Sequence, residues 1–243
     1  HEELQGRVKI GWSAFDGRIG EDCSGHGTSV SSLIVGRTLG LAPDADVTVL
    51  QVLDCKGQGS LSGMLGAINW VMSKASGKGG VVNMSVAGDK SPSVDAAIRR
   101  LIDSGVTVVV AAGNYNKPAS EMSPNASSGA IIVAASDEQD RRAPYSNYGS
   151  GVTIFAPGSN IKVASANCPN CYNTVSGTSF ATPYCAAVVA MLLQADPKMS
   201  PQQIMDALTM LGQKGVLDPA SLNSSPNILL QAPSEVVNEE GIG

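Results

Sequence analysis

Aromatic side chains make up only 4% of this 243-residue chain and charged ones 15%, while apolar residues reach 43%. A chain so poor in charge and so rich in apolar groups can bury a core, which excludes disorder as its resting state. With few rings and abundant Gly, Ala, Ser and Val, that core must close through small side chains. No run of Lys or Arg is present and the net charge is −5, so the electrostatic footprint of a nucleic-acid binder is missing. The longest apolar stretches, Val106 to Ala112 and Cys185 to Leu193, fall far short of the roughly 18 residues that mark a membrane span. No membrane partner is expected. The sequence opens on His1 with no signal segment before it, and residues upstream are expected to have been removed.

Cysteine is scarce and odd in number, five in all. Cys23 and Cys55 stand in polar, Gly-rich surroundings, Cys168 and Cys171 form a C-x-x-C in a loop, and Cys185 lies in an apolar helical run. Two disulfides and one buried thiol account for this simply. A four-cysteine zinc site is weaker, because only one pair has short ligand spacing. A thioredoxin-like redox motif is weaker still, since no helix starts directly after Cys171.

Apolar runs alternate with helical stretches, with Gly at the junctions. Strands are predicted at Arg7–Phe15, Asp46–Leu53, Val81–Val86, Val106–Ala111 and Ile131–Ala135, the last three apolar enough to be buried on both faces of a parallel sheet. Helices are predicted at Gly27–Val35, Ser62–Lys74, Ser93–Asp103, Ser179–Gln194 and Pro201–Leu211. This rhythm implies a doubly wound α/β fold. One domain is expected over residues 1–231, with 232–243, acidic and Gly-terminated, as a loose tail.

Histidine is rarer than cysteine: His1 and His26 are the whole supply. His26 lies in Ser24-Gly25-His26-Gly27-Thr28, opening an apolar helix. A lone histidine there is usually a cap or core residue, but glycine on both sides lets the backbone turn sharply and leaves the imidazole reachable. Ser179, in Ser176-Gly177-Thr178-Ser179-Phe180-Ala181-Thr182-Pro183, also starts a helix. By itself it reads as an N-cap. The unpaired N–H groups and helix dipole beside it would equally suit a nucleophile that generates an oxyanion. Asn114 closes the buried run Val109-Val110-Ala111-Ala112-Gly113-Asn114, at the carboxyl end of a strand, where open α/β sheets bind ligands. An Asx-turn is the plainer alternative.

Gly-His-Gly-Thr, Ala-Ala-Gly-Asn and Ser-Gly-Thr-Ser-x-Ala-Thr-Pro, in that order, resemble the subtilisin family of serine peptidases. Ala135-Ser136-Asp137, Arg141-Arg142, Ser146-Asn147-Tyr148-Gly149 and Phe155-Ala156-Pro157-Gly158 narrow the resemblance to its proteinase K branch. The resemblance implies a three-layer, mostly parallel sheet and an endopeptidase working through an acyl-enzyme. Ser179 would be the nucleophile, His26 the general base, and Asn114 with the Ser179 N–H the oxyanion hole. Ser85-Val86-Ala87 and the edge Gly59-Ser60-Leu61 would hold an extended substrate, Ala111 to Gly113 would wall the specificity pocket, and Asn125 would lie near its floor. Asn125 stands where relatives have a smaller residue, which puts the usual broad apolar preference in question. Cys23–Cys55 and Cys168–Cys171 would be bridges. An upstream inhibitory propeptide, a monomer, and a secreted or vacuolar location are implied as well.

The departures are equally specific. The family's catalytic aspartate sits in an Asp-Ser/Thr-Gly turn on a central strand, and His1 to Arg7 resembles the stretch just after it. The aspartate and its strand are therefore expected a short way upstream of His1, and their absence should leave an apolar gap in the sheet. Asp16 and Asp22 lie too close to His26, without the Ser/Thr-Gly that should follow, and neither is taken as a substitute. No cofactor is expected. The strong calcium site of the branch would use the carbonyls of Ser128 and Ala130 with a carboxylate. Thr153 occupies the carboxylate's place, so at most weak calcium binding is expected. Ser29 and Tyr184 replace common histidines outside the triad. A catalytically silent relative that binds a partner protein is the alternative.

Overall fold

The computed structural model describes residues 1–15, 20–75, 79–125 and 129–233. Its strands and helices run β1 (Val8–Ser13), α1 (His26–Val35), β2 (Val47–Gln51), α2 (Leu61–Ala75), β3 (Gly80–Met84), β4 (Gly88–Asp89), α3 (Pro92–Asp103), β5 (Val106–Ala111) and β6 (Met122–Ser123). They continue as β7 (Ile131–Ser136), β8 (Ile154–Pro157), β9 (Ile161–Ala164), β10 (Tyr172–Val175), α4 (Thr178–Ala195), α5 (Pro201–Leu211), β11 (Gln213–Lys214) and β12 (Ile228–Leu229).

Five strands lie parallel in the order β12-β8-β7-β5-β3, with β11 antiparallel on the β12 edge. The β-branched runs at β5 and β7 are buried at every position, as strands covered on both faces must be. Their alternate side chains feed two cores. Val109, Ile131 and Val133 meet α1, α4 and α5 on one face, while Val108, Val110 and Ile132 meet α2 and α3 on the other. This is the expected three-layer arrangement.

Local chemistry sets the helix starts. Pro92 and Pro201 occupy the first helical turns, where no N–H is needed. Ser200 and Gln203 form a complete capping box at α5. α4 has the length and apolar character of a membrane span, yet here it packs between the sheet, α1 and α5.

Between β2 and β3 the sheet is interrupted. β1 and β2 form a separate parallel pair, and β3 is the edge of the main sheet. A cavity of about 1120 Å³ separates them, lined by Val47–Leu53 on one side and Val81–Val86 on the other, with residues of α1, α2 and α4 around it. β3 is only half-buried along most of its length, unlike β5 and β7. The apolar gap expected in the sheet is present. Of the tail expected over 232–243, Ala232 packs against the core and Pro233 lines the cavity, and the remaining residues fall outside the described ones.

Candidate active site

Gly25 adopts φ +75°, a left-handed turn open to glycine, and swings the chain into α1 at His26. Asp22 secures that turn. Its Oδ1 accepts from Gly25 N at 3.0 Å and from Ser24 Oγ at 3.2 Å, and its Oδ2 accepts from both Thr28 N and Thr28 Oγ1 at 2.6 Å. With its lone pairs so engaged, Asp22 serves as the α1 cap. Asp16 lies outside the described residues.

The His26 ring is half-buried and stands 6.0 Å, centroid to centroid, from Phe180. Burial pushes its pKa below the ordinary histidine value, and the nearby Asp22 carboxylate pulls it back part of the way. The ring borders both the interrupted-sheet cavity and a second one of about 360 Å³.

Ser179 occupies the first turn of α4, among N–H groups that lack helix partners. Its Oγ donates to Ser85 O at 3.0 Å. Among the described residues no hydrogen bond joins it to His26. Asn114 follows the end of β5, where Gly113 must be glycine: φ is +104°, and a Cβ would fall 2.4 Å from Asn147 Nδ2. Asn114 Oδ1 accepts from Thr178 N at 2.8 Å and from Thr178 Oγ1 at 2.9 Å. With the oxygen fixed, Nδ2 is the end left to donate, and it lies beside Gly177, two residues before Ser179 in the chain. Thr178 is the anchoring residue that sequence reasoning missed, although it sits inside the quoted motif.

The other candidates fall around this centre. Ser85, Val86 and Ala87 follow the end of β3, and Ala111 ends β5. Asn125 is buried, donating Nδ2 to Ala112 O at 2.8 Å, while Oδ1 has no partner among the described residues. The edge Gly59–Leu61 needs correction. Gly59 makes a single bridge to Leu53, but Ser60 Oγ accepts from Gly63 N at 3.0 Å as a helix cap, and Leu61 is the first residue of α2. Leu61 is thereby helical rather than extended, whereas Ser60, as the residue that caps α2, stays outside the helix with Gly59.

Cys23–Cys55 ties the His26 loop to the loop after β2, and Cys168–Cys171 closes a short loop after β9. Cys185 is free and fully buried, and burial pushes its thiol pKa far up. Thr153 Oγ1 accepts from Ile132 N at 3.0 Å, while Ser128 lies outside the described residues.

The fold is a doubly wound α/β arrangement in which Asn114, after the central strand β5, bonds to Thr178 at the start of the Ser179 helix, and His26, at the start of α1, lies against Phe180. The family model for the subtilase family matches residues 2–224, and the chain belongs to that family. It is 41% identical over 234 residues to an extracellular serine proteinase of Thermus sp. (strain Rt41A), covering 96% of this chain and 57% of that protein. It is 40% identical over 220 residues to a subtilisin-like protease 2 of Pseudogymnoascus destructans, covering 90% and 55% respectively. A solved cold-adapted subtilisin-like serine proteinase superposes with a TM-score of 0.91 at 36% identity, covering 97% of this chain and 85% of that one. The chain spans about half the length of the curated relatives it matches.

Proposed function

We propose that this chain is the serine-endopeptidase domain of its protein, cleaving extended polypeptides through an acyl-enzyme on Ser179. The observation that carries this reading is the Asn114–Thr178 contact, which sets an amide donor beside the first turn of the helix that bears Ser179. His26, on the same side of the molecule against Phe180, is the base. In the first step Ser179 Oγ leaves Ser85 O, attacks the scissile carbonyl and gives its proton to His26. The oxyanion forms against Asn114 Nδ2 and the Ser179 N–H. His26 then protonates the departing amine, and water attacks the acyl-enzyme by the same route in reverse.

The gap between β2 and β3 fits a further parallel strand, and His26 lines its wall near one end. A strand lying there with an aspartate at its carboxyl end would hold the imidazole in the productive tautomer. Ser85 to Ala87 and Gly59 offer the substrate its main-chain contacts. Ala111 to Gly113 wall the pocket and suit small or apolar uncharged side chains before the scissile bond, a preference that Asn125 near the floor narrows by its size and polarity. Two disulfides support a secreted or vacuolar protein; an inhibitory propeptide and a monomeric state are parts of the same proposal. No strong calcium site is assigned, since a hydroxyl at Thr153 already bonded to backbone makes a poor substitute for a carboxylate.

One observation favours the silent alternative: the Ser179 hydroxyl is bonded to Ser85 rather than to His26. A fluorophosphonate probe separates the two readings. The full gene product should be labelled at Ser179 and the Ser179→Ala variant should not. No labelling would leave a binding module in place of an enzyme.

A further inference from the structure

We propose that the cavity of about 360 Å³ beside His26 receives the residue carrying the departing amine, and that Asn167 and Asn173 select an uncharged hydrogen-bonding side chain there. The inference deepens the peptidase reading and rests on it. The cavity borders the imidazole that would protonate the leaving group and is floored by Phe180, the neighbour of Ser179. Two loops wall it, Cys23–Gly25 and Ser165–Asn167, with Asn173 and Val175 completing the lining. Both walls are braced. Cys23 is bonded to Cys55, and the second loop is held by Cys168–Cys171 and by Ser165 N donating to Cys171 O at 2.9 Å.

The polar groups on these walls are partly spoken for. Asn173 Nδ2 donates to Ser165 Oγ at 3.1 Å, which orients its Oδ1 as an acceptor. Among the described residues neither that oxygen nor the Asn167 side-chain amide has a partner, and both residues are exposed. Together they present acceptors and a donor on a preformed wall. Asp22 is the one acidic group of the lining, and its two oxygens already take four hydrogen bonds. Its charge opposes an incoming carboxylate, yet it has no spare lone pair for an ammonium. Phe180 and Val175 suit the short apolar stem of a side chain such as Asn or Gln.

Acyl transfer to added amines reads this subsite without the specificity pocket. The full gene product is acylated with an N-acyl tripeptide thioester ending in alanine, then offered asparagine amide or leucine amide. In capture, the amine nitrogen forms the new amide bond and the bond from Ser179 Oγ to the acyl carbon breaks. The amine's proton returns to Ser179 Oγ through His26. The ratio of amide product to hydrolysis belongs to one acyl-enzyme, so the rate of acylation drops out. Asparagine amide should capture about tenfold better than leucine amide, the discrimination that roughly one added hydrogen bond supplies. The Asn167→Leu/Asn173→Leu double variant should erase that preference. Equal capture, a preference for leucine, or an asparagine preference that survives both substitutions would overturn the inference while leaving the peptidase reading intact. Absence of any thioester turnover would instead remove the reading on which it rests.

Discussion

At the scale of single residues, the ring of His26 is caught between burial, which disfavours its cation, and the Asp22 carboxylate, which favours it; burial dominates and the pKa is lowered. A lowered pKa means that the neutral base persists to more acidic pH. The imidazole should therefore titrate below the ordinary value of about 6.5 in this chain. Stability follows the same sign, since the folded form binds this proton less readily and is weakened as pH falls through that range. An aspartate placed beside the ring from the strand gap would stabilise the imidazolium and move the titration upward. Proton NMR of the two imidazoles, with His26→Ala for assignment, gives both values; a midpoint above 6.5 in the chain alone would refute the account of burial. His26, Ser179 and Asn114 could be singled out in the sequence only through their three motifs taken in order, since each alone reads as a cap, core or turn residue. Their anchors were not. Asp22 is an ordinary acidic residue until its carboxylate is seen across the turn, and Thr178 bonds to a residue 64 positions away.

At the scale of elements, a dense polar junction lies where the short turn at Glu2–Leu4 meets the end of α1 and the β10 strand. Glu3 is only 1% exposed, so its carboxylate must be satisfied from within. It accepts from Thr38 N at 2.8 Å, from Thr38 Oγ1, from Leu39 N at 3.4 Å and from Tyr172 OH at 2.9 Å. Burial pushes its pKa up, but the donors, Thr38 foremost, outweigh it and the net shift is downward. The stabilisation is thus present above the unfolded carboxylate value of about 4.3 and lost as pH falls below it. Glu3→Ala strands these donors and should cost about 1–3 kcal/mol at neutral pH. Urea midpoints at pH 7 and pH 3 check this, and the difference between parent and variant should shrink at the lower pH. No local pattern could have revealed the junction, because its partners lie 35 and 169 residues away in sequence. The same limit applied to strands. β5 and β7 were readable as long β-branched runs, whereas the β9–β10 hairpin was missed. Its strands are four residues each, β10 is largely exposed, and the pairing depends on a loop closed by a disulfide.

At the scale of the whole molecule, the interrupted sheet is the feature that matters most. Two parallel edges, β2 and β3, face each other across an apolar cavity without a ladder between them, and edges of that kind invite a strand. A two-stranded parallel ribbon such as β1–β2 has little stability of its own, so it depends on α1 and α2 to hold its place. Extending the chain upstream by a strand of continuous apolar residues, buried on both faces, should close the sheet. Every added pair of main-chain bonds would then form in a site that water leaves on filling. The extension should raise the melting temperature by at least about 4–8 °C, the shift that roughly 2 kcal/mol produces in a domain of this size. It should also abolish the binding of a hydrophobic dye that is expected in the open cavity. Equal melting temperatures with and without the extension, or dye binding that persists after it, would mean that the gap closes by β2 and β3 moving together. His26 would then have to find its carboxylate somewhere other than the end of an inserted strand.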